Sequence, residues 1–363
     1  MIFNRLPCVM HAGSFFIEYF VFLLQIEYNR SVHLSGAQMG ETMLQAVIQE
    51  GNNSLLAFGG ILFAFIVTVA ATAKLCNYLP KDGGREYALE GKLSAGKPRG
   101  AGIIFVLAFV AAAFLFVPFN AEITIYLILL IISMMTGFLD DASKTPWGEY
   151  KKGFLDLCVA ALVAFTFLKF NTNVVELALL DKKVVIPPAL LAVLIMILVW
   201  TSVNVTNCAD GVDGLSGTLT IITLMSIYMI GNIKEMSESF LFLILLFAVC
   251  ILGYLWYNAT PSKLLMGDAG SRAMGLFISI AILKTGCPLL YIPVALVLIL
   301  DGGLGLVKVF LLRFFKIHIL KNTRTPLHDH VRKVWEWSNT QTVFRFAIIQ
   351  IILSAAAIYG IQQ

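Results

Sequence analysis

Charged residues are scarce in this chain, and their scarcity excludes several classes of protein. Only 13% of the 363 residues are Asp, Glu, Lys or Arg, against about 25% in an ordinary soluble domain. Hydrophobic residues make up 59%, and the mean hydropathy is +0.85. A water-soluble fold of this size cannot bury so much apolar surface. The composition therefore excludes a soluble globular protein, a disordered chain and a nucleic-acid-binding module.

Two further features are lacking. The apolar stretches do not alternate polar and apolar residues, as the run YLILLIISMM illustrates, and this excludes a membrane β-barrel. The cysteines form no C-x-x-C pair, which argues against a disulfide framework or a zinc site, so we interpret them as small buried hydrophobic residues. The six cysteines are Cys8, Cys76, Cys158, Cys208, Cys250 and Cys287.

Long apolar segments dominate what is present. A membrane-crossing helix takes about 20 residues, and ten segments reach or approach that length. They occupy residues 55–79, 101–118, 123–139, 153–170, 187–205, 214–231, 239–257, 272–287, 288–313 and 343–361. We predict an all-α polytopic membrane protein in which residues 55–363 form one domain of about ten transmembrane helices. Residues 1–54 are predicted to be an N-terminal extension, interfacial or poorly ordered.

Lys and Arg are distributed unevenly between the two sides of this predicted bundle. The loops on one side hold 17 of them and the other side holds six. Because cytoplasmic loops are enriched in Lys and Arg, we place the richer side in the cytoplasm. It consists of the loops 80–100, 140–153, 206–213, 258–273 and 313–345. These loops also carry the unusual polar clusters, which a transporter would place near the membrane midplane instead.

Adjacent acids end the third segment. Asp140 and Asp141 are followed by Lys144 in the sequence GFLDDASK. Two neighbouring carboxylates repel each other unless a cation lies near them, and Mg²⁺ prefers carboxylate and phosphate oxygens as ligands. A solvated helix end, with Asp141 and Lys144 as an i,i+3 ion pair, would account for the same residues.

Two further loops carry acids and amides. The loop NVTNCADGVDGLSG holds Asn207, Asp210 and Asp213 and no base. Its glycines let the backbone approach a ligand, although a tight turn has a similar composition. The motif MGDAGS puts Asp268 near a helix N-terminus, where an anion is stabilised. Asp268 is therefore a helix cap, a metal ligand or both.

Basic groups gather in two loops of the same side. In PLHDHVRK, His328 and His330 precede Arg332, and the absence of a third suitably spaced ligand favours phosphate binding or proton handling over zinc. The segment GKLSAGKPRGAG suits a diphosphate or a lipid phosphate. In both loops a solvated basic anchor is the alternative. Acids for a metal, bases for phosphates and a membrane-embedded body together indicate phosphoryl transfer onto or from a lipid.

Four motifs, in this order, resemble those of the polyprenyl-phosphate N-acetylhexosamine-1-phosphate transferases: GFLDDASK, NVTNCADGVDGLSG, LLMGDAGS and PLHDHVRK. Within that family they look most like the branch that handles phospho-N-acetylmuramoyl-pentapeptide. The resemblance implies transfer of this group from its UDP-linked donor to undecaprenyl phosphate, giving lipid I and UMP for peptidoglycan. It further implies a Mg²⁺ cofactor, ten transmembrane helices in the bacterial plasma membrane, usually as a homodimer, and an active-site cleft on the cytoplasmic face.

The resemblance also implies roles for particular residues. The catalytic set is Asp140, Asp141 and Asp268, with Mg²⁺ held by Asp268 and Asp141. Asp140 is our choice for activating the lipid phosphate, by orientation or through a covalent aspartyl intermediate. The predicted substrate-binding residues are Lys144, Lys152, Asn207, Asp210, Asp213, Asn258, Lys308, His328, His330 and Arg332.

Three positions depart from the family pattern. A histidine triplet is replaced by His328-Asp329-His330, and two threonines of a glycine-rich motif are replaced by Lys97 and Arg99. In the ninth segment, Asp301 and Lys308 stand where Glu and Gln are expected. We interpret these changes as those of an active subfamily variant, since the acidic motifs are intact.

Two alternative functions stay open. One is a related enzyme that transfers N-acetylglucosamine-1-phosphate. The loop at 326–346 should discriminate between the two enzymes, because we expect it to select the sugar. The other is a membrane transporter, for which the intramembrane acid Asp301 is the only strong candidate residue.

Overall fold

The computed structural model describes residues 53–84, 94–118, 120–143, 145 and 147–362. Within these residues the chain forms twelve α-helices and one two-stranded hairpin. They are α1 (Asn53–Leu75), α2 (Gly102–Phe116), α3 (Ala121–Asp141), α4 (Glu149–Phe170), β1 (Val174–Leu177), β2 (Lys182–Val185), α5 (Pro188–Cys208), α6 (Leu215–Ile233), α7 (Glu238–Asn258), α8 (Gly267–Lys284), α9 (Tyr291–Val294), α10 (Leu296–Phe315), α11 (Leu327–Val334) and α12 (Asn339–Gly360). The prediction for the N-terminal extension lies outside the described residues, apart from the first residues of α1.

Each of the ten predicted segments contains a helix, and the all-α polytopic class is confirmed. In the described part of the chain, seven helices are long and apolar enough to cross a membrane, or eight if one bent pair counts as a span. The predicted number of ten is not confirmed. Helix α2 has only 15 residues, and α8 carries Asp268, Arg272 and Lys284 along its 18 residues.

The segment predicted as one span over 288–313 is bent. Its two helical parts, Pro288–Val294 and Leu296–Phe315, meet at 90°. The bend leaves backbone polar groups without hydrogen-bond partners in the helix. The buried side chain of Gln350 provides these partners. Its Oε1 accepts a hydrogen bond from Val297 N at 2.8 Å, and its Nε2 donates to Pro293 O at 3.0 Å. One amide from α12 therefore satisfies both sides of the break.

The outer helices leave apolar side chains uncovered. Leu55, Phe58 and Ile352 are each more than half exposed, as are many similar residues on α1, α4, α5 and α12. Soluble monomers rarely leave such continuous apolar surface uncovered. These faces suit the hydrocarbon core of a bilayer.

Helix α8 lies at the centre of the bundle. All its residues but the last are buried, and it packs against α2, α3 and α5. Glycines make the closest approaches possible. A Cβ on Gly137 of α3 would lie 2.4 Å from the Asp268 carbonyl oxygen, and one on Gly102 of α2 would lie 2.0 Å from Gly270 N. The C-terminal end of α3 is thereby held against the first turn of α8.

The β-hairpin was not expected from the sequence. Strands β1 and β2 pair antiparallel, with Val174 opposite Val185, and Asp181 in the turn between them has φ of 48°. Glu176 N donates to Gly286 O at 2.9 Å, and its side chain pairs with Lys234. The hairpin thus covers the end of the bundle at which α8 finishes.

Candidate active site

The three predicted catalytic aspartates meet at one end of the bundle. Asp140 and Asp141 are the last two residues of α3, and Asp268 is the second residue of α8. All three are buried or nearly so. Asp268 does not act as an N-cap, since the N-cap residue is Met266 and no side-chain capping bond forms there. We call these three residues the aspartate cluster.

Arg99 joins two members of the aspartate cluster. Its Nε lies 2.9 Å from Asp141 Oδ1, and its terminal nitrogens lie 3.7 Å from Asp268 Oδ1 and 3.4 Å from Asp82 Oδ1. Burial by itself lowers the pKa of the guanidinium, but these three carboxylates and that of Asp210 outweigh it, and the pKa is raised above its ordinary value. Arg99 is therefore a permanent positive charge inside the cluster.

Lys152 joins the remaining pair. Its Nζ forms an ion pair with Asp140 Oδ2 and lies 3.4 Å from Asp268 Oδ2. The other oxygen of Asp140 accepts a hydrogen bond from Trp147 N at 2.7 Å. Lys152, a predicted substrate-binding residue, therefore contacts two members of the aspartate cluster. Lys144, predicted alongside it, lies outside the described residues.

A second ion pair supports Asp268 from the bundle interior, and sequence reasoning missed it. Arg272, one turn further along α8, pairs with Asp156 of α4, and its Nε lies 3.7 Å from Asp268 Oδ2. Asn204 Nδ2 donates to Asp156 Oδ2 at 3.4 Å. The available signal was Asp156 itself, because an acid inside an apolar segment is unusual.

The amide-rich loop after α5 contributes at two places. Asn207 Nδ2 donates to Ser271 Oγ at 2.9 Å, three residues from Asp268, so it lies beside the aspartate cluster. Asp213 accepts a hydrogen bond from Ser262 N at 3.0 Å. Asp210 is half-buried, and its carboxylate contributes to the raised pKa of Arg99.

The side chain of Asn258 is hydrogen-bonded to the backbone of two loops. Its Oδ1 accepts from Gly214 N at 2.8 Å, and its Nδ2 donates to Leu264 O at 2.9 Å. The side chain therefore ties the start of α6 to the segment leading into α8. Its predicted contact with the nucleotide stays a prediction.

The predicted histidine loop is the short helix α11, and His328 is its buried anchor. His328 Nδ1 lies 2.8 Å from Asp301 Oδ2, and His328 N donates to Asp301 Oδ1 at 2.7 Å. A Cβ on Gly211 would lie 2.2 Å from His328 Nε2, so the imidazole packs directly on the amide-rich loop. Asp301, considered above as an isolated intramembrane acid, is fully buried and paired.

His328 has a raised pKa. Burial by itself lowers the pKa of the imidazole, but the carboxylates of Asp301 and Asp329 outweigh it, with Arg332 opposing them. The net effect favours the protonated ring.

The other three predicted substrate-binding residues, Lys308, His330 and Arg332, contact residues between 320 and 329. His330 Nδ1 accepts from Arg324 N at 3.3 Å, and Arg332 is buried with a terminal nitrogen 3.8 Å from Asp329 Oδ1. Lys308 Nζ donates to the carbonyls of Leu320 and Thr323 at 3.1 and 3.0 Å. Lys308 and His330 therefore bond the loop between α10 and α11, whereas the contact of Arg332 lies within α11.

The aspartate cluster fits a divalent metal ion. Asp141 Oδ1 is buried and accepts no hydrogen bond, because the nearby Arg99 N–H does not point at it. Carboxylate oxygens are the donors that Mg²⁺ prefers, and it commonly uses one or two of them together with substrate phosphates. Among the described residues, no group of three or more His, Cys, Asp or Glu side chains is arranged to hold a metal alone. Asp141 and Asp268 are the two that would bind one.

Comparisons with known proteins point in one direction. The model of a family described as glycosyl transferase family 4 matches residues 123–286. The phospho-N-acetylmuramoyl-pentapeptide-transferase of Treponema pallidum (strain Nichols) is 39% identical over 308 residues, covering 80% of this chain and 85% of that protein. Proteins of the same name from Wolbachia sp. subsp. Drosophila simulans (strain wRi) and Borrelia turicatae (strain 91E135) are each 26% identical, covering 83% and 81% of this chain and 95% and 89% of theirs. The chain belongs to the phospho-N-acetylmuramoyl-pentapeptide-transferase family.

Proposed function

We propose that this chain transfers phospho-N-acetylmuramoyl-pentapeptide from its UDP-linked donor to undecaprenyl phosphate, releasing UMP and forming lipid I for peptidoglycan synthesis. The observation that carries the proposal is the aspartate cluster. Three acids predicted from separate motifs converge at the ends of two membrane-embedded helices and share Arg99 and Lys152. A membrane-embedded site is required because the acceptor is a lipid.

Asp141 and Asp268 would hold the divalent metal that the family needs, and we propose that this metal is Mg²⁺. When bound, it supplies charge neutralisation at the donor diphosphate. The protein's own contribution is to keep two buried carboxylates at a fixed separation. The close contact of Gly137 with the first turn of α8 achieves this, since any side chain at 137 would displace Asp268.

Asp140 is the group we assign to the lipid phosphate. Polyprenyl phosphate is largely ionised at neutral pH, so it needs orientation more than deprotonation. Lys152 lies between Asp140 and Asp268 and would share its charge with the transferred phosphate. Asn207 would contact the donor from the adjoining loop, as its amide lies beside Ser271.

Product analysis tests the proposed reaction. Purified protein is incubated with Mg²⁺, undecaprenyl phosphate and either UDP-N-acetylmuramoyl-pentapeptide or UDP-N-acetylglucosamine, and lipid-linked products and UMP are quantified. We expect efficient turnover with the pentapeptide donor alone. Equal turnover of the two donors would instead favour the related N-acetylglucosamine-1-phosphate transferase. Neither donor giving a lipid-linked product would refute the proposal.

We further propose that the aspartate cluster faces the cytoplasm and that the enzyme is a homodimer in the plasma membrane. The uneven distribution of Lys and Arg supports the orientation. Single cysteines at positions 182 and 333, in a background without other accessible thiols, test it in intact cells. A membrane-impermeant reagent should label position 182 and not 333, and the reverse pattern would invert the topology. Cross-linking in native membranes tests the dimer.

A further inference from the structure

Arg99 occupies the space between the two proposed metal ligands. Its guanidinium contacts Asp141 on one side and Asp268 on the other, at 2.9 and 3.7 Å. These are the two carboxylates that a divalent cation would need. A cation of the protein and a cation from solution therefore compete for the same oxygens.

The backbone holds Arg99 at this position. Arg99 N donates to Pro80 O at 2.8 Å, while Leu265 N donates to Pro98 O at 2.8 Å and Ala101 N donates to Leu265 O at 3.1 Å. The segment that carries Arg99 is thus hydrogen-bonded to the segment that enters α8. The guanidinium can move, but its Cα stays beside the cluster.

The charges that the structure describes around Arg99 do not balance. Among the described residues, ion-pair contacts through Asp268 connect five carboxylates with three basic groups, which together carry two net negative charges when all are ionised. The connected residues are Asp82, Asp140, Asp141, Asp156, Asp268, Arg99, Lys152 and Arg272. An excess of two negative charges is the amount that one divalent cation neutralises.

We propose that Arg99 is an internal counter-ion of the metal site. It holds Asp141 and Asp268 together in the metal-free protein, and on metal binding it releases them and keeps its contact with Asp82 alone. This inference rests on the proposed function only in taking Asp141 and Asp268 as the metal ligands. As a consequence, Arg99 lowers the affinity of the site for the metal ion but stabilises the metal-free protein.

The test measures Mn²⁺ binding and thermal stability of the detergent-purified full-length protein, with Mn²⁺ as a paramagnetic probe followed by electron paramagnetic resonance. Arg99→Gln removes the charge. We expect it to bind Mn²⁺ about tenfold more tightly or better, because the metal ion no longer competes with a guanidinium for the oxygens of Asp141 and Asp268. The metal-free variant should melt at a lower temperature than the parent protein, and Mn²⁺ should restore most of the difference.

Two variants serve as controls. Arg99→Lys keeps the charge and should bind Mn²⁺ within about threefold of the parent protein. Lys97→Gln removes a positive charge from the same segment, but Lys97 Nζ bonds to Ser262 Oγ at 2.9 Å rather than to the cluster. Its Mn²⁺ affinity should also change by less than about threefold.

The opposed signs separate a counter-ion from a merely structural residue. If Arg99→Gln lowers both the melting temperature and the Mn²⁺ affinity, Arg99 only supports the fold and the inference is wrong. Equal tightening in Lys97→Gln would also overturn it, as would an absence of Mn²⁺ binding in every variant. The two proposals can fail separately. If the parent protein makes no lipid-linked product but Arg99→Gln binds Mn²⁺ more tightly than the parent, only the proposed reaction is refuted.

Discussion

Helix α8 carries a buried charged cluster at each end, and the two clusters differ in charge balance and in hydrogen bonding. At the C-terminal end, Lys284 Nζ donates to both carboxylate oxygens of Glu122, at 3.1 and 2.9 Å, and to Asn171. Asn171 Nδ2 donates back to Glu122 at 2.6 Å, and the ring of Phe240 lies 4.8 Å from the ammonium. Among the described residues, this cluster has one positive and one negative charge, and Lys284, Glu122 and Asn171 are each hydrogen-bonded to the other two.

At the N-terminal end, the acids among the described residues outnumber the bases, and some buried polar atoms make no hydrogen bond. Asp141 Oδ1 and Arg272 Nε are buried without a hydrogen bond. Unsatisfied buried polar atoms are costly, so a protein that balances charge fully at one end of a helix has no structural reason to leave it unbalanced at the other. Excess negative charge, rather than the burial of charge as such, therefore distinguishes a ligand site from a structural ion pair.

The largest expected effect is at the N-terminal cluster. Asp268→Asn keeps the shape of the side chain and removes the charge that the metal requires, so turnover should fall by about a thousandfold or more. The assay is UMP release at saturating Mg²⁺, with the melting temperature measured in parallel. Near-normal turnover would show that Asp268 is not a metal ligand.

Glu122→Gln should have the converse effect at the C-terminal cluster. Removing one partner of a buried ion pair leaves Lys284 uncompensated and costs about 3–5 kcal/mol of stability, while turnover per folded molecule should be unchanged. Unfolding and turnover are measured on the same preparation. The double variant Glu122→Gln with Lys284→Met should recover part of the lost stability. A selective loss of turnover would show that the cluster at the C-terminal end of α8 has a functional role.

His328→Ala should produce an intermediate effect. The pair of His328 and Asp301 joins α10 to α11 and supports the loop at Gly211. Its loss should lower turnover more than tenfold, about 1.4 kcal/mol in the barrier. His330→Ala, whose ring contacts Trp335 at the loop surface, serves as the matched variant. A His328→Ala protein with full activity would reduce α11 to a basic anchor.

The same pair predicts a pH dependence of stability. Because the pKa of His328 is raised in the folded protein, protonation of the imidazole stabilises the fold. This contribution is complete below the ordinary value of about 6.5 and is lost as pH rises through the folded-state pKa. Thermal unfolding from pH 6 to 9 should show the loss in the parent protein and a flatter profile in His328→Gln. Parallel profiles would exclude His328 as the cause.

The smallest effect is expected for Asp329→His. Asp329 is only partly buried, and its contacts with His328 and Arg332 are long, at 3.9 and 3.8 Å. Restoring the family's histidine should therefore leave turnover within about tenfold, or ~1.4 kcal/mol. A larger loss, measured with the same UMP assay, would show that this chain depends on an acid at the position.

Much of the fold could be predicted because apolar length is a local property. The ten segments, the position of Asp140 and Asp141 at a helix end, and the start of α8 beside Asp268 all follow from runs of neighbouring residues. The span count and the 90° bend before α10 were not predicted. Pro293 was a local signal for a break, but the backbone groups at the break are satisfied by Gln350, more than fifty residues away, which no local pattern shows. The hairpin was missed for a different reason: its strands are only four residues long, too short to show an alternating pattern, and they pair only with each other.

The acids of the site were determined by the sequence alone, and their partners by the tertiary structure. Asp140, Asp141 and Asp268 stand in recognisable motifs, so their residue types already indicated a metal and a phosphate. Nothing local connects Arg99 with Asp141, Arg272 with Asp156 or His328 with Asp301, because each pair lies on two elements brought together only when the bundle packs. The net charge of a cluster is the sum over those contacts. Only the packed structure therefore decides whether a cluster is neutral or has a negative charge that a cation can balance.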